Sequence, residues 1–143
     1  LYKNNELSSL TLHITQKNEL LAKIRYQSKK LKQDISNQES SETLQHIEQL
    51  IQKGLSTSKE WEKFTEHFNF IHNGFLQRLK QQYPDLKSNS LKLCAYLKMR
   101  LSSKQIAVLM NTAPASVMTA RYRLRIKFNL EKDQSLEDYL NNF

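Results

Sequence analysis

LSSKQIAVLMNTAPASVMTARYRLRIKF, residues Leu101–Phe128, decides how this chain is read. Two short helical patterns lie in it, separated by a turn of about three or four residues around Thr112-Ala113, the spacing of a helix-turn-helix. The first opens after Ser102, a good N-cap, and sets Ile106, Ala107 and Met110 on one face. The second opens at Pro114, whose fixed φ and missing N–H suit a first helical turn. It buries Val117, Ala120, Leu124 and Phe128. Small Ala107 lets the two helices cross closely. The outward face of the second helix then carries Met118, Thr119, Tyr122, Arg125 and Lys127.

The charge around this stretch is one-sided. The chain of 143 residues has a net charge of +8, and Leu86 to Leu130 holds nine basic residues with no Asp or Glu. The other 13 of the 22 basic residues face all 14 acidic ones, so the remainder is nearly balanced. A compact basic segment in a balanced chain points to a polyanion. A merely solvated helix face mixes signs for i,i+4 pairing, and no acid is at hand here. Arginines and a lysine flanking shorter side chains suit a helix in the major groove, where short side chains meet base edges and cations reach phosphates. The residues expected at double-stranded DNA are Lys104, Ser116, Met118, Thr119, Arg121, Tyr122, Arg123, Arg125 and Lys127. Met118 and the Thr119 methyl can pack on a thymine methyl. Arg125, Lys127 and Lys104 are expected at phosphates.

Upstream, Leu7, Leu10, Ile14, Lys17, Leu21, Ile24, Ser28, Leu31 and Ile35 step by three and four. This is a coiled-coil seam with Lys17 and Ser28 as weak points. Its apolar members, Leu7, Leu10, Ile14, Leu21, Ile24, Leu31 and Ile35, either pair with a second copy in a parallel homodimer or pack within the chain. Residues 36–41 read as a polar loop. A short helix comes next with Leu44, Ile47, Leu50 and Ile51, ending near Gly54. Thr57 and Glu60 form a capping box for a third helix bearing Trp61, Phe64, Phe68 and Ile71, an aromatic stripe read as core. His72-Asn73-Gly74 breaks it, with Asn73 placed to cap a further helix carrying Phe75, Leu76 and Leu79. After Tyr83-Pro84, four short helices are expected, the last opened by a capping box of Ser135 and Asp138 and burying Leu136, Tyr139 and Leu140.

With two glycines and two prolines, strands and hairpins lack their turn residues, and an all-α fold is expected. Cys94, the only cysteine, sits in an apolar run and reads as a buried, reduced thiol, which suits the cytoplasm. No run of about 18 apolar residues and no signal peptide is present. No Gly-rich phosphate loop, Ser/Cys-His arrangement or metal spacing appears, so neither an enzyme nor a cofactor is expected. The four histidines are scattered, without a phosphoacceptor box. Helical periodicity starts almost at Leu1, the pattern of a segment cut from a longer protein.

Residues 86–130 resemble the LuxR/GerE-type helix-turn-helix, through Leu86, Leu93-Cys94, Leu101-Ser102, Lys104, Ile106-Ala107, Ser116-Val117, Leu124 and Lys127-Phe128. Leu101–Ala107 with Ala120–Arg125, together with Trp61, Phe64, Phe68, Phe75, Leu79, Tyr83-Pro84 and Gln16–Glu19, is similar to a subgroup of Bacteroidetes regulators. The resemblance implies a transcription regulator and a sensor domain upstream, often a β-propeller and a Tyr-Tyr-Tyr domain joined through one membrane span. The chain departs from the family at Ser90 and Gln105, usually Glu, and at Thr112-Ala113, Ala115 and Met118. Residues 1–83 are accordingly expected to form a coiled-coil and helical dimerisation and relay region, and 84–143 a four-helix DNA-binding domain. The alternative is a signalling or interaction module whose degenerate helix-turn-helix does not bind DNA.

Overall fold

The computed structural model describes residues 2–34, 36–55 and 58–143, with side chains from residue 5 onward. Among the described residues there are eight helices and no strand: α1 (Tyr2–Asp34), α2 (Gln38–Leu55), α3 (Ser58–Ile71), α4 (Phe75–Gln82), α5 (Ser88–Lys98), α6 (Ser103–Leu109), α7 (Pro114–Lys127) and α8 (Leu136–Asn142). The all-α expectation holds. No described helix is long and apolar enough to cross a membrane.

α5 sits at the centre. Leu93, Cys94, Ala95, Tyr96 and Leu97 are all buried, and α4, α7 and α8 pack around them. α3 adds its aromatic stripe, with Phe64 edge-on to Tyr96 at 5.3 Å and stacked on Phe68 at 5.4 Å. Phe64 and Phe68 are at most 1% exposed, and Trp61 and Ile71 pack half-buried against the same cluster, so the stripe is core. Burial pushes the Cys94 thiol up to about 12, which keeps it protonated at neutral pH. One cluster of buried residues runs from Leu7 to Leu140 and crosses the expected boundary at residues 83 and 84.

α1 does not stand alone. It packs along α2, α3 and α6. Leu7 and Ile14 lie in the chain's own core, and Leu10 packs partly against it. The covered face runs through Leu7, Thr11, Ile14, Asn18, Leu21, Arg25 and Ser28, which is the expected seam turned by one residue at alternate positions. Polar members are tolerated because most have partners. Thr11 donates to the Leu7 carbonyl at 2.9 Å, Asn18 Nδ2 to the Val108 carbonyl at 2.9 Å, and Arg25 meets Glu48 at 3.1 Å. Lys17, read as a weak point, bridges the α2–α3 junction through the Gly54 carbonyl and Glu60, both at 2.6 Å. α1 and α2 approach closely at Gly54, where a Cβ would lie 3.0 Å from Leu21 Cδ1. Ile24 and Leu31 are left 41% and 55% exposed.

Three local expectations need correction. The stretch 36–41 is not all loop: α2 already begins at Gln38, where Asn37 Oδ1 accepts from the Glu39 N–H at 3.0 Å and supplies the missing cap. Asn73 does not cap α4 from its side chain. It lies at φ 51 and Gly74 at φ 65, so the pair ends one helix and aims the next. Ser135 accepts from the Asp138 N–H at 3.2 Å, one half of the capping box expected for α8, but the Asp138 carboxylate turns to Arg100 rather than back to the Ser135 N–H. Ile35 of the seam and Thr57 of the capping box lie outside the described residues.

The scarcity of glycine is made good by asparagine. Asn73, Asn111 and Asn129 all take the left-handed conformation just past the ends of α3, α6 and α7. At Asn111 the cap closes with the Thr112 N–H on the Ala107 carbonyl at 2.9 Å. The chain then extends through Ala113 and enters α7 at Pro114.

Candidate nucleic-acid interface

α6 and α7 are joined by Met110–Ala113 and pack directly on each other. Ser102 caps α6 by accepting from the Gln105 N–H at 3.2 Å, and Gln105 Oε1 accepts from the Ser102 N–H at 2.8 Å. Gln105 thus serves the reciprocal cap as a glutamate would. α7 has no such help: Ala113 offers no side-chain acceptor, and Pro114 only presets the first turn. Val117 and Leu124, with Phe128 just beyond the helix, hold α7 to the core.

This anchoring leaves three strips on the rest of α7. Facing outward are Ala115, Met118, Thr119, Tyr122 and Ile126, all exposed. Met118, Tyr122 and Ile126 are 57%, 65% and 62% exposed. Ser103, at the start of α6, donates to the Met118 sulfur at 3.3 Å. Thr119 donates its hydroxyl hydrogen to the Ala115 carbonyl at 3.1 Å. On one flank, Ser116, Arg123 and Lys127 border an open groove against Lys87 and Asn89 at the start of α5. On the other flank lie Arg121 and Arg125.

The structure does not bring Arg121 and Arg125 to the outward face. Arg121 pairs with Glu137 of α8. Arg125 donates to the Gln134 and Glu131 carbonyls, both at 2.6 Å, and so braces the connection between α7 and α8. Lys127 pairs with Asp85. Among the other cations of 86–130, Arg100 meets Asp138 at 3.1 Å and Lys98 donates to the Leu140 carbonyl at 3.0 Å over the Phe75 ring. Lys92 lies 5.2 Å from the centre of the Trp61 ring. Lys87, Lys104 and Arg123 are exposed and have no ion-pair partner among the described residues. The free cations therefore flank the outward strip, with Lys104 on the first turn of α6 and Arg123 beside Tyr122.

Ile126 and Ser103 were not singled out from sequence. The four-residue step from Met118 through Tyr122 points to Ile126, since 118, 122 and 126 share a face on a 3.6-residue period. Nothing in the sequence signals the pairing of Ser103 with Met118.

Glu137 carries a pH dependence. Burial alone would raise its carboxyl, but hydrogen bonds from its own backbone, Arg121 and Ser135, with the Arg121 charge, hold it below the ordinary 4.5. A carboxylate lowered on folding stabilises the fold fully above the unfolded value, and that contribution is lost as pH falls through the folded one. The difference in stability between the parent and Glu137→Gln should therefore be constant near neutrality, at about 1 kcal/mol for a partly exposed pair. It should shrink below 4.5. Denaturant midpoints across that range check this, and a difference unchanged in acid would show that the charge on Glu137 does not hold α8 to α7.

Against known proteins, the chain matches no family model, no curated protein and no solved structure.

Proposed function

We propose that the chain is a DNA-binding transcription regulator, in which α6, the turn at 110–113 and α7 act as a helix-turn-helix with α7 in the major groove. The observation that carries this reading is the placement of two exposed cations at the margins of a projecting helix face, Lys104 beside Pro114 at the start of α7 and Arg123 on the flank with Ser116, inside a segment that holds no acid along the sequence. Cations at the margins of an exposed helix suit phosphates that flank a groove. The resemblance of residues 86–130 to LuxR/GerE-type domains supports the same reading. On it, residues 1–83 form the relay from an upstream sensor. α1 reaches the DNA-binding part directly, through Asn18 and the end of α6.

A second reading has an observation of its own. The outward strip of α7 is largely apolar and two of its arginines are spent inside the chain, which would suit an interaction module that binds a protein through this face. The two are separated by duplex binding. Three unpaired cations give a slope of log K against log salt of about −3, and about −5 if Lys127 and Arg100 exchange their exposed acids for phosphates. Lys104→Ala with Arg123→Ala should weaken every duplex alike and flatten that slope by about two. Absence of binding to any duplex at low salt would favour the interaction module.

The regulator is further proposed to act as a homodimer. Leu7 and Ile14 are spent inside the chain, but Leu20, Ile24 and Leu31 share a face of α1 and are 59%, 41% and 55% exposed. A second copy would cover them, and dimers of this type read two half-sites. Light scattering at roughly tens of micromolar should give a dimer for the parent and a monomer for Ile24→Asp with Leu31→Asp. A monomeric parent would contradict the dimer.

A further inference from the structure

We infer that the outward strip of α7 reads thymine methyl groups, so that the target is an A·T-rich major groove. The inference rests on the proposal that the chain binds duplex DNA, and it names the class of sequence preferred.

The major groove distinguishes base pairs by hydrogen-bonding edges and by the C5 methyl of thymine. The strongest hydrogen-bond readout of guanine or adenine comes from a bidentate side chain, Arg or Lys for the one and Asn or Gln for the other. None stands among Ala115, Met118, Thr119, Tyr122 and Ile126. Of the arginines of α7, Arg121 is committed to Glu137 and Arg125 to two carbonyls in the connection to α8, and Arg123 stands on the flank that borders the groove against α5 rather than on the strip. The Thr119 hydroxyl hydrogen goes to its own helix, which leaves the methyl as the apolar part it offers. The Met118 sulfur is held from Ser103, so the thioether is positioned on the strip. Met118, Tyr122 and Ile126 succeed one another by four residues, a row about 12 Å long at 1.5 Å per residue. A row of apolar groups with free cations beside it and no acid on its helix matches a methyl-lined groove between phosphates. Charge complementarity thus favours a polyanion over an apolar protein surface.

The test uses the full chain and four duplexes of one length, compared by fluorescence anisotropy at a fixed low salt. These are an A·T-rich duplex, the same duplex with uracil for thymine, a G·C duplex, and the same G·C duplex with 5-methylcytosine. Uracil removes only the methyl, and 5-methylcytosine restores one at the same place on the base. Removing two contacted methyls should weaken binding about tenfold, and methylating the G·C duplex should strengthen it. In Met118→Ala with Ile126→Ala, both at exposed positions, the thymine-to-uracil ratio should fall toward one while the salt slope stays unchanged. Equal affinity for thymine and uracil duplexes, with the salt dependence intact, would overturn methyl reading and leave DNA binding standing. A ratio that persists in the double variant would place the discrimination in the stiffness of the duplex and would also overturn it. No binding to any of the four would overturn both this inference and the function beneath it.

Discussion

The carboxy-terminal helices of this fold are arranged around α5, whose second half is buried on every side. Five consecutive side chains of α5, Leu93 to Leu97, are withdrawn from water, and a helix apolar all round must be covered all round. α3 covers it with Phe64, α4 with Phe75 beneath Lys98, and α7 and α8 close the remainder. α7 has no side-chain cap and owes its place to Val117, Leu124 and Phe128 packing on this core. Its opposite face then has nowhere to go but outward. The projecting strip is in this sense a consequence of how α5 is covered, and it stands on a rigid support.

The same packing divides the cations by role. A count of charge treats Arg121, Arg123, Arg125 and Lys104 as equals. In space, Arg121 and Arg125 tie α7 to α8 and to the connection between them, while Lys104 and Arg123 stay in water. The segment without acids is free of them only along the sequence. Asp85, Glu137 and Asp138, beyond its two ends, fold back onto Lys127, Arg121 and Arg100. The basic surface is therefore smaller than composition suggests, and more localised.

Features carried by side chains near in sequence were legible before the fold was known. Ser102, Pro114 and Ser135 mark helix starts by local capping chemistry, and the apolar steps through Val117, Leu124 and Phe128 mark the buried face of α7. Features that depend on distant or backbone partners were hidden. Arg125 is satisfied by carbonyls of residues 131 and 134, which no side-chain pattern reveals. Thr11 and Asn18 sit in a buried seam because carbonyl oxygens accept from them, so the apolar heptad mispositions alternate members of α1. The first turn of α2 is exposed and polar, and without an apolar step it reads as loop until the Asn37 cap is seen. Asn111 and Asn129 do what glycine commonly does at helix ends, which is why few glycines did not mean few turns.

The central claim is that α7 presents its outward strip to duplex DNA, and the most direct measurement is the change in backbone amide chemical shifts when a duplex is added to the full chain at low salt. The largest changes are expected on residues 115–126 and on the first turn of α6 around Lys104, with α2 and α3 unaltered. Changes confined to α1 and α2 while α7 stays unperturbed would contradict the claim.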